Sequence, residues 1–229
     1  MWIFRCMSSR LISAEPQDSL EKAFQLMQES QIRHLPVLEK GRLVGMITDQ
    51  DLRQISSFLG DNHRNLPQEH LLRLKQVSDV MRPALATANV YDTLEEAALR
   101  MVEYQVDALP VRGQDGRVVA MLTAKDCLRG FLTLTGASTG GVQFALEVPD
   151  EPGAVTKAAN IIRRYGGMTV SILTSYDAAE PGRRVAYLRM RQVDRAELER
   201  LKQDLAAVGR LLFVLDSRHH TKEVLADLD

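Results

Sequence analysis

Leu35-Pro36-Val37, followed by Gly41-Arg42-Leu43-Val44-Gly45-Met46-Ile47-Thr48-Asp49-Gln50-Asp51, is written twice in this chain. It returns as Leu109-Pro110-Val111 and Gly116-Arg117-Val118-Val119-Ala120-Met121-Leu122-Thr123-Ala124-Lys125-Asp126. From Met7 to Val37 the second copy lies 74 residues on, and from Gly41 to Asp51 it lies 75 on, so one residue was inserted in the turn. Over the 42 positions compared, 7–37 and 41–51, 19 are identical. That is a duplication, and it sets the frame for the rest of the chain.

Each copy reads as β-α-β-β-α. Residues 10–14 and 84–88 are short extended segments leading to Asp18-Ser19-Leu20-Glu21 and Asp92-Thr93-Leu94-Glu95. An Asp at the N-cap with a Glu three residues on satisfies first-turn amides much as a capping box does. Leu20, Ala23, Phe24 and Met27 then form an i, i+3, i+4, i+7 stripe, which Leu94, Ala97, Ala98 and Met101 repeat. Leu35–Leu38 and Leu43–Thr48 are strands joined by a Gly turn, and Asp51 opens a second helix. About 60 residues make a marginal core, so the two units are expected to pack together. Between them, 56–68 reads as loop and His70–Lys75 as a short helix.

Gly136-Ala137-Ser138-Thr139-Gly140-Gly141 reads as a flexible small-residue linker. Beyond it Val142, Phe144, Leu146 and Val148 alternate with Gln143, Ala145 and Glu147, a half-buried strand. Asp150-Glu151-Pro152-Gly153 starts a helix faced by Val155, Ala158, Ala159 and Ile162 and stopped at Gly166-Gly167. Met168–Leu173 and Val185–Met190 are strands, Asp194-x-x-Glu197 caps a second helix, and Leu211–Leu215 is a last strand. This is the β-α-β-β-α-β order of the split βαβ, ferredoxin-like arrangement. From Ser217 the chain reads as a polar or weakly helical tail containing His219-His220.

The 229 residues carry a formal charge of −1, with 45% hydrophobic and 26% charged residues. That balance gives no electrostatic footprint for nucleic acid or an anionic membrane surface. Cys6 and Cys127 have neither metal-ligand spacing nor a disulfide framework. The apolar start, Met1-Trp2-Ile3-Phe4, is too short for a signal peptide, and no run is long enough for a membrane span. A cytoplasmic setting is the expectation. No nucleophile–base constellation and no metal cluster stands out, so a non-enzymatic role without a catalytic cofactor is expected.

The copies resemble CBS domains, which occur in tandem as a Bateman module. The family's motif Gly-h-x-Thr/Ser-x-x-Asp is met fully by Gly45–Asp51, and by Ala120–Asp126 with Ala in place of Gly. Ser13 and Thr87 occupy the early Thr/Ser position of such domains. The third unit resembles ACT domains through Asp150-x-Pro152-Gly153-Ala154-Val155. The resemblance implies an α+β protein: CBS domain 1 over 1–60, a linker with a short helix over 61–76, and CBS domain 2 over 77–135. A linker over 136–141, an ACT domain over 142–216 and a tail over 217–229 follow. The order CBS–CBS–ACT resembles the AcuB-type acetoin-utilisation proteins.

The chemistry of the doubled motif can be stated from its residues. Thr48 and Asp51, like Thr123 and Asp126, stand i and i+3 at a helix entrance and point the same way. A carboxylate accepts two hydrogen bonds, which suits the 2′ and 3′ hydroxyls of a ribose, and free helix amides favour phosphate. A Thr/Asp pair at a helix start also serves as a plain N-cap. Arg33-His34, just before Leu35-Pro36, supply cations of the kind that approach phosphate in CBS pairs. The second copy has Asp107-Ala108 before Leu109-Pro110, partly offset by Lys125, so two unequal clefts are expected. Cys127 replaces Leu52 and reads as core. The resemblance implies an adenine nucleotide (AMP, ADP, ATP or another adenosyl ligand) as regulatory ligand. It also implies an amino acid near Asp150, Pro152, Gly153 and Ala154, a homodimer, and a regulated protein partner. The alternatives are a dimerisation scaffold with empty clefts and an enzyme of acetoin breakdown.

Overall fold

The computed structural model describes residues 1–8, 10–62, 75–177 and 179–226, with side chains at all of these except 56–62. Most of the helix expected at His70–Lys75 lies outside the described residues. The chain divides into two units, Met1–Gly130 and Phe131–Asp229, of mixed α and β structure.

In the first unit, repeat one contributes α1 (Leu20–Ser30), β1 (His34–Glu39), β2 (Arg42–Thr48) and α2 (Asp49–Asn62). Repeat two contributes β3 (Ala88–Asn89), α3 (Leu94–Tyr104), β4 (Ala108–Arg112), β5 (Val118–Thr123) and α4 (Ala124–Leu134). The β1–β2 and β4–β5 hairpins are antiparallel. The leading extended segments are reduced to an Ala14–Val37 bridge and the two-residue β3, each parallel to its neighbour. Leu20, Ala23 and Met27 of α1 close over Leu35, Val37 and Ile47 of the hairpin, as the stripe requires.

The helix caps fall one residue later than expected. Ser19 accepts from the Lys22 amide, and Thr93 forms a reciprocal capping box with Glu96. Asp18 and Asp92 instead accept the Glu15 and Asn89 amides and close the preceding turns. α2 also runs on to Asn62, where loop was expected from residue 56. Leu52, Ile55 and Leu59 continue the helical period through the Ser and Gly residues that suggested a turn.

The two repeats exchange their leading segments. Short 3-10 turns at Ile3–Arg5 and Val77–Asp79 stand 74 residues apart, and each packs on the other repeat. Met1–Ser8 joins repeat two: the Leu94 amide donates to Met1 O (2.8 Å), Ile3 N to Asp92 O (3.0 Å) and Ser8 N to Met121 O (3.1 Å). Lys75–Arg82 joins repeat one in the same way: Leu20 N donates to Lys75 O (3.0 Å), Val77 N to Asp18 O (2.9 Å) and Arg82 N to Met46 O (2.9 Å). Ile3 and Val77 are fully buried. Burying each side chain contributes roughly 1.5–3 kcal/mol, so the exchange ties the repeats into one body.

The second unit is a five-stranded sheet in the order β10-β9-β6-β8-β7, with every neighbouring pair antiparallel. Its strands are β6 (Val142–Pro149), β7 (Met168–Ser175), β8 (Arg183–Arg191), β9 (Arg210–Asp216) and β10 (Thr221–Val224). β8 inserted between β6 and β7 makes the split βαβ. Helices α5 (Ala154–Arg164) and α6 (Leu198–Ala206) bury Ala158, Ile162, Leu201 and Leu205 against Phe144, Leu146 and Leu188. β10 replaces the expected tail. All four of its residues are exposed, so it has no alternating pattern to read, and it holds by backbone pairing to β9 and by the Lys202–Glu223 ion pair. Two of the three glycines before β6, Gly136 and Gly141, serve close approach. A Cβ on Gly141 (φ 107°) would stand 2.2 Å from Met190 O, and one on Gly136 2.2 Å from Val170 Cγ1.

Candidate functional site

The β2–α2 and β5–α4 junctions are built alike. Thr48 Oγ1 donates to Asp51 Oδ2 (2.6 Å), the Thr48 amide donates to the same oxygen (3.0 Å), and the Asp51 amide donates back to Thr48 Oγ1 (3.1 Å). Thr123 and Asp126 repeat these bonds at 2.6, 2.9 and 3.2 Å. Each pair is therefore a helix cap that consumes Oδ2, and Oδ1 is the carboxylate oxygen left over. Arg82 Nη2 meets Oδ1 of Asp51 at 2.8 Å, and Arg129 Nη1 meets Oδ1 of Asp126 at 3.5 Å.

Both junctions open on one cleft of about 1600 Å³ between the repeats. It is larger than the roughly 300–1,000 Å³ of a single small-molecule pocket, and so has room for two ligands. Of the residues expected there, Arg33, His34, Thr48, Asp51, Pro110, Thr123, Lys125 and Asp126 line it, and so do Asp107 and Ala108. Ser13, Pro36 and Thr87 do not; the wall is made one residue earlier, by Ile12 and Ala86. Pro36 is buried in β1 with its carbonyl taken by the Ala14 amide, and the Thr87 carbonyl accepts from Arg100. Arg10, Arg82 and Arg129 also line the cleft and carried no sequence signal beyond their charge. For Arg82 the pointer would have been its place one residue after Met81, the repeat partner of Met7.

Burial holds the His34 imidazole below its ordinary pKa, against the pull of Asp107 and Asp49 and with Arg33 adding to the depression. The Cys127 thiol is pushed up to about 11 by burial, then by Asp126 and Cys6, as suits a packing residue rather than a nucleophile.

In the second unit, Gly153 (φ 87°) is the N-cap of α5 and supplies no side-chain cap. Asp150 accepts from Tyr176 Oη (3.4 Å) and pairs with Arg184, whose Nε at 3.4 Å is buried without a hydrogen bond. Pro152 is exposed and Ala154 buried at that helix start. Among the described residues no group of His, Cys, Asp and Glu could hold a metal ion, and no helix is long and apolar enough to cross a membrane.

The family model for the CBS domain matches residues 3–57 and 77–133. A CBS domain-containing protein of Dictyostelium discoideum is 34% identical over 125 residues, 53% of this chain and 85% of that protein. The chain belongs to the CBS-domain family. Its first unit is a tandem CBS pair, and the same region is similar to a Methanocaldococcus jannaschii protein described as a putative archaeal homolog of g-AMPK. In the crystal structure of that protein the likeness has a TM-score of 0.50 at 30% identity, over 57% of this chain and 47% of that one. The inosine-5′-monophosphate dehydrogenase of Korarchaeum cryptofilum is 32% identical over 116 residues, 51% of this chain but 21% of that enzyme. The chain thus spans less than half of these last two relatives, and its likeness to an enzyme is confined to a CBS-sized part.

Proposed function

We propose that this protein is a non-catalytic regulatory sensor whose CBS pair binds an adenine nucleotide (AMP, ADP, ATP or another adenosyl ligand). The observation that carries the reading is the pair of Thr-x-x-Asp helix starts facing one cleft. Each keeps one carboxylate oxygen outside its cap, with Arg33, Lys125, Arg82 and Arg129 beside them. Carboxylate to ribose and cations to phosphate use the chemistry present. Thr48, Asp51, Thr123 and Asp126 hold the sugars, and Arg33, with His34 once protonated, faces phosphate.

The second unit reads as an ACT domain over 142–216, in the AcuB-type order. The uncapped start of α5 beside Arg184 offers amides and a guanidinium for the carboxylate of an amino acid. Self-association as a homodimer and an effect on a separate regulated protein complete the reading. A ligand acts there only by binding two arrangements unequally, with a coupling of ~1–3 kcal/mol.

A thermal-shift panel of adenine nucleotides tests this. A ligand at 100 times its Kd stabilises by about 2.7 kcal/mol, and replacing both Asp51 and Asp126 by Ala removes the response. The competing scaffold reading draws on the self-satisfied Thr/Asp caps and predicts no shift with any of them.

A further inference from the structure

The exchanged segments carry unlike residues at the two matching positions beside β2 and β5. Arg82 and Ser8 are partners in the repeat, 74 residues apart, and both main chains are pinned: Arg82 to Met46 on β2, Ser8 to Met121 on β5. Their side chains then diverge. The Arg82 guanidinium closes on Asp51 Oδ1 at 2.8 Å while its side chain stays 71% exposed. The Ser8 hydroxyl turns back on the Met121 main chain, donating to O and accepting from N at 3.2 Å each. Asp126 therefore has no cation reaching across from the other repeat at this position. Arg129, which meets it at 3.5 Å, comes from its own helix.

We infer that Arg82 is a specificity residue that makes the Asp51 half of the cleft select phosphorylated nucleosides over neutral ones. The inference rests on the nucleotide reading above. A ribose diol needs Asp51 Oδ1, and a neutral nucleoside must displace the guanidinium from it without offering the cation a new partner. A nucleoside phosphate supplies that partner, and the long exposed side chain is free to turn to it while the pinned backbone stays in place. An exposed ion pair is a small barrier, worth at most about fivefold in affinity, whereas a charge-assisted bond to phosphate is worth roughly tenfold or more.

The test is calorimetric titration of AMP and of adenosine into the Asp126→Ala protein, which leaves the Asp51 half, with and without Arg82→Gln. The expected result is opposite movement: AMP weakens roughly tenfold and adenosine tightens up to about fivefold. In the converse background, Asp51→Ala, Arg82→Gln changes neither ligand. Unchanged affinities in the Asp126→Ala background, or a shift of both ligands in one direction, overturn the role of Arg82 while the nucleotide reading stands. Wild-type protein that binds neither compound overturns both. Arg82→Lys, which keeps the charge, keeps the preference for AMP.

Discussion

Thr48 and Asp51 bind each other before they bind anything else: hydroxyl to carboxylate at 2.6 Å, and amide back to hydroxyl at 3.1 Å. The pair is at once the first turn of α2 and one wall of the cleft. Thr48→Val removes the cap and is expected to cost about 1 kcal/mol in chemical denaturation. It also lowers nucleotide affinity, because the carboxylate loses the bond that orients it. A Thr48→Ser protein recovers both. If Thr48→Val loses stability and keeps full affinity, the pair is a cap alone.

Ile3 is fully buried although it lies three residues from the N-terminus, because Met1–Ser8 belongs to the packing of repeat two. Ile3→Ala is expected to destabilise by about 2–5 kcal/mol. Hydrogen exchange should locate the loss in α3 and the amides of Leu94 and Met121, leaving α1 protected. Equal loosening of both repeats would argue against the exchange.

Arg195 grips Asp216 through Nε (2.6 Å) and Nη2 (3.1 Å). That contact outweighs the opposing effect of burial and, with His219 and the Arg218 amide, holds the Asp216 carboxyl well below the usual carboxylate range. The unfolded chain takes up this proton near pH 3.9. The stabilisation is therefore complete above about pH 4 and is lost as the pH falls below it. Asp216→Asn is expected to lower stability at pH 7 and to flatten the acid limb of the stability curve, read by urea unfolding at several pH values.

His34 acts in the same direction, but nearer neutrality. Its folded pKa is depressed, so below about 6.5 the unfolded chain binds the proton first and stability falls as the pH drops. His34→Gln should remove that slope between pH 7 and 5. A phosphate in the cleft should raise the His34 pKa, visible as a shift of its ring proton resonances on adding AMP.

Gly141 sits at φ 107° with Met190 O where a Cβ would be. Gly141→Ala is expected to cost more than about 2 kcal/mol and to unfold the second unit first. Gly140→Ala has open space and meets strain only from the backbone (φ 75°, ψ −162°), so it is expected to cost about 1–3 kcal/mol.

The duplication, the helix stripes and the split βαβ order were legible because they repeat or have a period: Leu20 with Leu94, Thr48 with Thr123, Val142 with Phe144 and Leu146. Eight of the eleven residues singled out in the repeats line the cleft between them, since a helix start fixes where Thr and Asp stand. The exchange of leading segments was not legible. Met1–Ser8 and Lys75–Arg82 share only Met7 with Met81, and a 3-10 turn has no amphipathic period. Arg82 followed from that exchange and was hidden with it. β10 was hidden for another reason: none of its side chains is buried.

Because of the exchange, neither half of this unit is whole by itself. A lone repeat would leave the seat of its leading segment vacant and that segment without a seat. Separating the halves therefore opens two packed sites at once, and each half owes part of its own fold to the other.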